Sequence, residues 1–306
     1  MAIVEKRIDI EPEISGRADK AVLKLTALSR SEVRGLFDHG CVSLNDSACT
    51  DAGEQTEPGD VVAVRYDMHR RYHPGPRAWQ DDAFKVVFED KHLIVTDKAA
   101  GVLTVPTESR EKDTLLHALE RYFGHTGTKG SPRPVHRLDK GVSGLLVFAK
   151  TREIAEQLQT QFEARKPERE YAAIVAGILP EDEGMFESHL ATSKSFQRYS
   201  TARPEEGELA ITHFQKLKIA RGASFVRVWL ETGRRNQIRV HFADEGHPVL
   251  GDPRYNPEQA SHPQWRSKRM ALHAKLLGFK HPVTGKALRF ESPLPKEFVH
   301  FLRIKA

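Results

Sequence analysis

Residues 143–149 read Ser-Gly-Leu-Leu-Val-Phe-Ala, with no polar alternation after Gly144. A half-buried strand alternates apolar and polar residues, so this run predicts a strand covered on both faces. A chain that carries such a strand must build layers around it. The surrounding segments supply them. "FKVVFED", "HLIVTDK", "REYAAIVAG", "SFVRVWLETG" and "MALHAKLLGF" read as further strands. "DTLLHALERYFG" predicts a helix capped by Asp113 and stopped at Gly124. "TREIAEQLQTQFEARKP" predicts another, capped by Thr151, with Ile154, Leu158 and Phe162 on one face. "NQIRVHFADEG" reads as a third, ending at Gly246, and residues 188–210 and 252–268 read as long polar loops. Strands and helices mix without regular β-α alternation. The fold class expected is therefore α+β, with a central mixed, mainly antiparallel sheet flanked by helices and loops over 84–306.

The first 70 residues predict a separate small α+β domain with its core over 16–67. Ala21, Val22, Leu25 and Leu28 recur at helical spacing, and Val33, Leu36 and Phe37 form a second stripe between a Ser31 cap and a Gly40 stop. Short strands follow in "CVSLND" and "VVAVRY". Residues 71–83, rich in Pro and basic side chains, read as a linker.

Composition excludes several classes. No apolar run approaches the roughly 20 residues of a membrane helix, and the charged start "MAIVEKRIDIEPE" lacks a signal-peptide core. A cytoplasmic protein is expected. Two cysteines, Cys41 and Cys49, give no disulfide framework and read as reduced, buried thiols. His136, His241, His247 and His273 match no common metal spacing, so no metal is expected.

The net charge is +5, but its distribution says more than its size. Arg17, Lys20, Lys24, Arg30 and Arg34 cluster in the first domain, "HRRYHPGPR" in and just before the linker, and "RRNQIRVH", with Arg234 and Arg235, over 234–241. Each alone reads as a solvated face. Together, with aromatics nearby, they point to a nucleic-acid partner.

Asp139 stands just ahead of the apolar strand, between Arg137 and Lys140 and before Gly141 and Gly144. It reads either as a turn residue bonding backbone amides or as a carboxylate held on a rigid element for chemistry. Arg235 and Arg239, four apart, are expected on one helix face, where either could pair with a carboxylate or a phosphate. Tyr171 reads as a core tyrosine or as a surface for an unstacked base.

"HRLDKGVSGLLVFAKT" resembles the signature of the RluA-type pseudouridine synthases. "EREYAAIVAG", "TGRRNQIRVHFADEGHPVLGDPRY" and "MALHAKLLGFKHPVTGKALRFESPLP" are similar to that family's later blocks, in its order. Residues 16–67 resemble the S-four-type RNA-binding domain that many ribosomal large-subunit members carry. The resemblance implies an isomerase that breaks uridine's N-glycosidic bond and rejoins the base through carbon 5, without cofactor or metal. It implies Asp139 as the catalytic aspartate, Tyr171 as the residue stacking on the base, Arg239 as the partner of the carboxylate, and Arg137 as a holder of the flipped nucleotide. RNA is the implied partner, large-subunit rRNA first and tRNA as an alternative, for a protein that can act as a monomer. The chain departs from the family's pattern at Gly141 and Val142 (usually an acidic residue and Thr), at Asn236 (usually His) and at Ala99 (usually Pro). Two other readings stand beside it: a non-catalytic RNA-binding or ribosome-assembly protein that retains the fold, and a glycosidase, which would need a second acid near Asp139.

Overall fold

The computed structural model describes residues 3–72, 81–109 and 111–303. The chain divides into two compact units, Met1–Trp79 and Gln80–Ala306. Most of the linker expected over 71–83 lies outside the described residues. None of the described helices is long and apolar enough to cross a membrane.

The first unit comprises β1 (Ile3–Asp9), β2 (Gly16–Arg17), α1 (Ala18–Leu25), α2 (Arg30–Asp38), β3 (Val42–Leu44), β4 (Ser47–Ala48), β5 (Gln55–Thr56) and β6 (Val61–Asp67). β6 is central, paired antiparallel with β1 on one side and β3 on the other. Val22, Leu36, Phe37, Val62 and Val64 close the core between helices and sheet. The expected cap is corrected by two residues: Ser29, not Ser31, starts α2. Ser29 accepts the Glu32 amide while the Glu32 carboxylate accepts the Ser29 amide, a reciprocal capping box. β1 was not expected, because its strand carries four charges in "IVEKRID" and is mostly exposed. Both thiols are free; Cys49 is buried, but Cys41 is only half-buried.

The second unit begins with β7 (Phe84–Glu89), β8 (Leu93–Lys98), α3 (Leu115–Thr126), β9 (Arg133–Pro134), β10 (Ser143–Ala149), α4 (Arg152–Glu163) and β11 (Glu168–Ala176). It continues with β12 (Glu183–Thr192), β13 (Arg198–Thr201), β14 (Glu208–Ala220), β15 (Ala223–Leu230), α5 (Gln237–Asp244), β16 (Leu272–Lys280), β17 (Ala287–Glu291) and α6 (Lys296–Leu302). Among the described residues the sheet runs β13-β12-β14-β15-β11-β16-β10-β8-β7, with β17 on β16 and β9 on β10. β10 and β16 are parallel and the remaining pairs antiparallel, so the sheet is mixed and mainly antiparallel.

β10 is buried at all seven positions, as its sequence requires. Leu145 and Val147 join Leu93, Leu277 and the α4 residues Ile154 and Leu158 in one cluster. Truncating the fully buried Leu158 to Ala would cost about 2–5 kcal/mol. Gly144 is the exception that the strand needs. Its φ is +115°, and an added Cβ would overlap the Ala274 backbone of parallel β16.

Three local expectations are corrected. Thr114, not Asp113, caps α3, and Gly124 lies inside that helix, which ends at the left-handed Gly127. Residues 188–210 are not a loop: most of them lie in β12, β13 and the start of β14. α5 starts only at Gln237 and is buried from Gln237 to Ala243. Arg235 therefore precedes the helix and does not share a face with Arg239.

Candidate active site

The turn that carries Asp139 is tied down on both sides. Thr104 Oγ1 accepts the Leu138 amide at 3.1 Å and donates to the Leu138 carbonyl at 2.8 Å. The Gly101 amide reaches the Lys140 carbonyl at 2.7 Å. The buried Lys98 ammonium donates to the Ala99 and Val102 carbonyls at 2.8 and 2.7 Å and reaches that of Lys140 at 3.5 Å. Burial pushes the Lys98 amine down to about 7, against the raising charge of Asp139. The Val142 amide closes the turn on the Asp139 carbonyl at 3.1 Å. Ser143, first in β10, accepts from Arg269 Nη2 at 2.5 Å and lies 2.7 Å from His273 Nδ1. The Asp139 side chain thus projects from the mouth of a fixed strand.

Its carboxylate is not spent on turn amides. Oδ2 accepts from Arg239 Nη1 at 2.8 Å and from Asn236 Nδ2 at 2.5 Å, while Oδ1 accepts nothing among the described residues. Arg239 presents its other edge to Asp252, with Nε–Oδ2 at 2.6 Å and Nη2–Oδ1 at 2.8 Å. Asp252 is wholly buried, whereas the Asp139 side chain keeps 23% of its exposure. Burial works against the Arg239 charge, but Asp252 and Asp139 outweigh it and its pKa is raised. The Tyr255 ring lies 4.9 Å from the same guanidinium, and its hydroxyl donates to Asn236 Oδ1 at 3.3 Å.

Asn236 holds a left-handed conformation, φ +59°, at the N-terminus of α5. Asn tolerates that region better than most residues. The preceding turn is fixed by Gln237, whose Oε1 accepts from the Thr232 hydroxyl at 2.7 Å and from the Arg234 amide at 2.9 Å.

Tyr171 enters from β11, where the pairing with β16 shifts between Glu170 and Tyr171 and skips Lys275. The extra residue belongs to β16, and β11 keeps its alternation, as its unbroken pairing with β15 through Glu170 and Tyr171 shows. Burial raises the Tyr171 phenol, Arg169 works the other way, and Asp139 adds to the rise. Asp139, Tyr171, Arg239, Asn236, Val142 and Arg137 share a cavity of about 160 Å³. Arg137 is exposed at its rim. Arg234 and Arg235 line it too, but Arg234 pairs with Glu208 at 2.7 Å and Arg235 donates to the Phe196 carbonyl at 2.9 Å.

In the first unit, Arg17, Lys20, Arg30 and Arg34 line one cavity of about 610 Å³. Arg17 pairs with Asp19 at 2.7 Å. Lys24 is exposed and not among the residues lining that cavity.

The four residues that differ from the resembled pattern have local accounts: at Gly141 an added Cβ would meet the Met270 side chain. Val142 is buried and lines the Asp139 cavity. Ala99 donates its amide to the Ala83 carbonyl at 2.8 Å, a bond that Pro has no N–H to make. Asn236 supplies the second donor to Asp139. Sequence reasoning treated Asn236 only as a departure and gave no role to Asp252 or Tyr255. Asp252 opens a stretch read as polar loop, and nothing in its neighbours signals burial. The four histidines are dispersed, and among the described residues no three His, Cys, Asp or Glu side chains converge as a metal site.

The chain as a whole is similar to known proteins. Residues 92–244 match the family model described as RNA pseudouridylate synthase. A Zymomonas mobilis protein named ribosomal large subunit pseudouridine synthase D is 37% identical over 94% of this chain and 93% of its own length. The Pseudomonas aeruginosa protein of the same name is 32% identical over 99% and 96%. The structure of human RNA pseudouridylate synthase domain containing 4 has a similar fold, with a TM-score of 0.58 at 23% identity over 72% of this chain and 94% of that one.

Proposed function

Since the chain belongs to the RNA pseudouridylate synthase family, RluA type, whose members isomerise uridine to pseudouridine in RNA, we propose that it modifies uridines of large-subunit ribosomal RNA with Asp139 as the reacting carboxylate. The full-length similarity to proteins named for the ribosomal large subunit supports the substrate. One observation carries the assignment: Arg239 and Asn236 both grip Oδ2 of Asp139 and leave Oδ1 open in a cavity shared with Tyr171.

The chemistry fits those parts. The bond between nitrogen 1 and the sugar breaks, carbon 5 takes its place, carbon 5 loses a proton and nitrogen 1 gains one. The reaction balances without oxidant, reductant or group donor. A uridine within a helix is out of reach, so the nucleotide enters the cavity flipped or already unpaired. Tyr171 offers a face for the uracil. Arg239, locked by Asp252, holds the carboxylate in one orientation before substrate arrives, so none of that ordering is left to the reaction step. Arg137, at the rim, helps hold the flipped-out nucleotide. Arg234 and Arg235 lie along the RNA path, and Arg17, Lys20, Lys24, Arg30 and Arg34 make the first unit an RNA-docking module.

A protein that only bound RNA would gain nothing from a partly exposed carboxylate among arginines, since it repels phosphate. The test is to map pseudouridine in the RNA of cells lacking the gene. A site lost from large-subunit rRNA supports the proposal, and a loss confined to tRNA replaces the substrate while keeping the chemistry.

A further inference from the structure

Beside the Asp139 cavity lies a second cleft of about 340 Å³, and Arg137, Tyr171, Leu230, Gly233 and Arg234 line both. Arg169 lines only the second. It stands two residues before Tyr171 on β11, so strand alternation puts both side chains on one face. Arg165 completes the basic wall.

Among the described residues Arg169 makes no ion pair, and its Nε is buried without an acceptor. Arg169 as a whole is half-buried, whereas the buried Arg198 and Arg239 hold carboxylates at 2.9 Å and closer. Partly burying a guanidinium without a carboxylate partner is unfavourable, and an anion that takes its vacant outer donors offsets that. The acid lining this cleft is Glu163, exposed at the end of α4, and it forms no ion pair with these arginines. His136, stacked on Phe162 at 4.6 Å, is pushed down to about 3 by burial and by the Arg169 charge, so it stays neutral and competes for no anion.

The guanidinium is also seated. Its carbon lies 5.8 Å from the Phe162 ring centre. A Cβ at position 233 would overlap Arg169 Nη1, so Gly233 makes the room in which the fork lies. A fixed, planar, unpaired fork fits a phosphate through two parallel bonds.

We propose that Arg169, seated on Gly233 and Phe162, binds a backbone phosphate of the RNA next to the nucleotide held in the Asp139 cavity. This rests on the RNA-isomerase reading above, and the experiment separates the two. The full-length protein is assayed on an unmodified large-subunit rRNA transcript across a salt series, as wild type, Arg169→Gln, Arg169→Lys and Gly233→Ala. Arg169→Gln should raise KM about tenfold, as expected for one lost charged hydrogen-bonded contact. Its plot of log(kcat/KM) against log salt should be shallower by about 0.7, the contribution of one phosphate on a single strand. Arg169→Lys should regain the slope but not all the affinity, having the charge without the fork. Gly233→Ala, which displaces the fork without removing charge, should raise KM; it and Arg169→Lys carry the test if Arg169→Gln does not fold. A wild-type salt slope in Arg169→Gln, or a loss confined to kcat, overturns the proposal. If wild type converts no uridine in the transcript, the substrate reading fails, and the salt slope of equilibrium RNA binding then decides the phosphate seat alone.

Discussion

Arg239 Nη1 lies 2.8 Å from Asp139 Oδ2, one hundred residues away in sequence, and the opposite edge of the same guanidinium is clamped to Asp252. The pair is an arrangement of three, in which a wholly buried acid fixes the arginine that fixes the partly exposed acid. Stability and reactivity meet in one side chain, and the consequences can be measured separately.

Asp252→Asn should weaken both. It removes the charge opposite a buried guanidinium and disturbs the acceptor of the Arg254 and Tyr255 amides. Breaking a buried pair costs about 3–5 kcal/mol. Urea unfolding should show that loss, with kcat falling at saturating RNA under conditions where the variant remains folded.

Asn236→Asp should lower activity at neutral pH by more than tenfold. It sets a second carboxylate against Oδ2 of Asp139, and adjacent carboxylates oppose each other's ionisation, raising one pKa. Its kcat should climb with pH more steeply than the wild type's. Asn236→Gly, which keeps the positive φ without strain and lacks the donor, should lose less. A pH profile of all three proteins checks the order.

Acid should destabilise the second unit through its buried imidazoles. Burial pushes His241 down to about 4 from 6.5, between the neutral hydroxyls of Ser188 and Thr212. The folded pKa lies below the unfolded one, so the unfolded chain binds the proton first as pH falls. The stability is complete above about pH 6.5 and is lost toward pH 4, roughly 2 kcal/mol of it by pH 5. His136 and His273, pushed down to about 3 and about 4 by burial, act in the same direction. The drop in unfolding free energy between pH 7 and pH 5 should shrink by about 2 kcal/mol in His241→Gln.

Charge reversal at Lys20 and Arg34, which line the cavity of the first unit, should weaken RNA binding and flatten its salt dependence by about 0.7 per lost phosphate contact. Thermal unfolding of the second unit should not move. Unchanged binding at every salt concentration would remove the docking role from the first unit.

Sequence pattern reached the centre of the fold more reliably than its edges. β10 announces itself because seven buried positions leave no room for polar residues. Within 188–210, the part of β12 that falls there reads Ser-His-Leu-Ala-Thr and β13 is only four residues long, so neither carries an apolar run that signals a strand. Gly124 looked like a stop, yet a helix tolerates one glycine for about 1 kcal/mol when its end is fixed elsewhere, here by Gly127. Asp139 and Arg239 were legible as a pair only through family resemblance. Asp252 was not legible, because nothing local tells a buried aspartate from a loop aspartate. Asn236 was visible as a difference, but its meaning depends on a left-handed backbone that aims it at Asp139.

Asp139 is the carboxylate on which activity should depend most directly. Cells lacking the gene should be complemented with wild type or with Asp139→Asn, and pseudouridine mapped chemically along the large-subunit rRNA. Wild type should restore one or more specific sites, while Asp139→Asn, present at equal level and folded, should restore none. Restoration by Asp139→Asn, or a deletion strain whose rRNA and tRNA lose no pseudouridine, would contradict the proposed function.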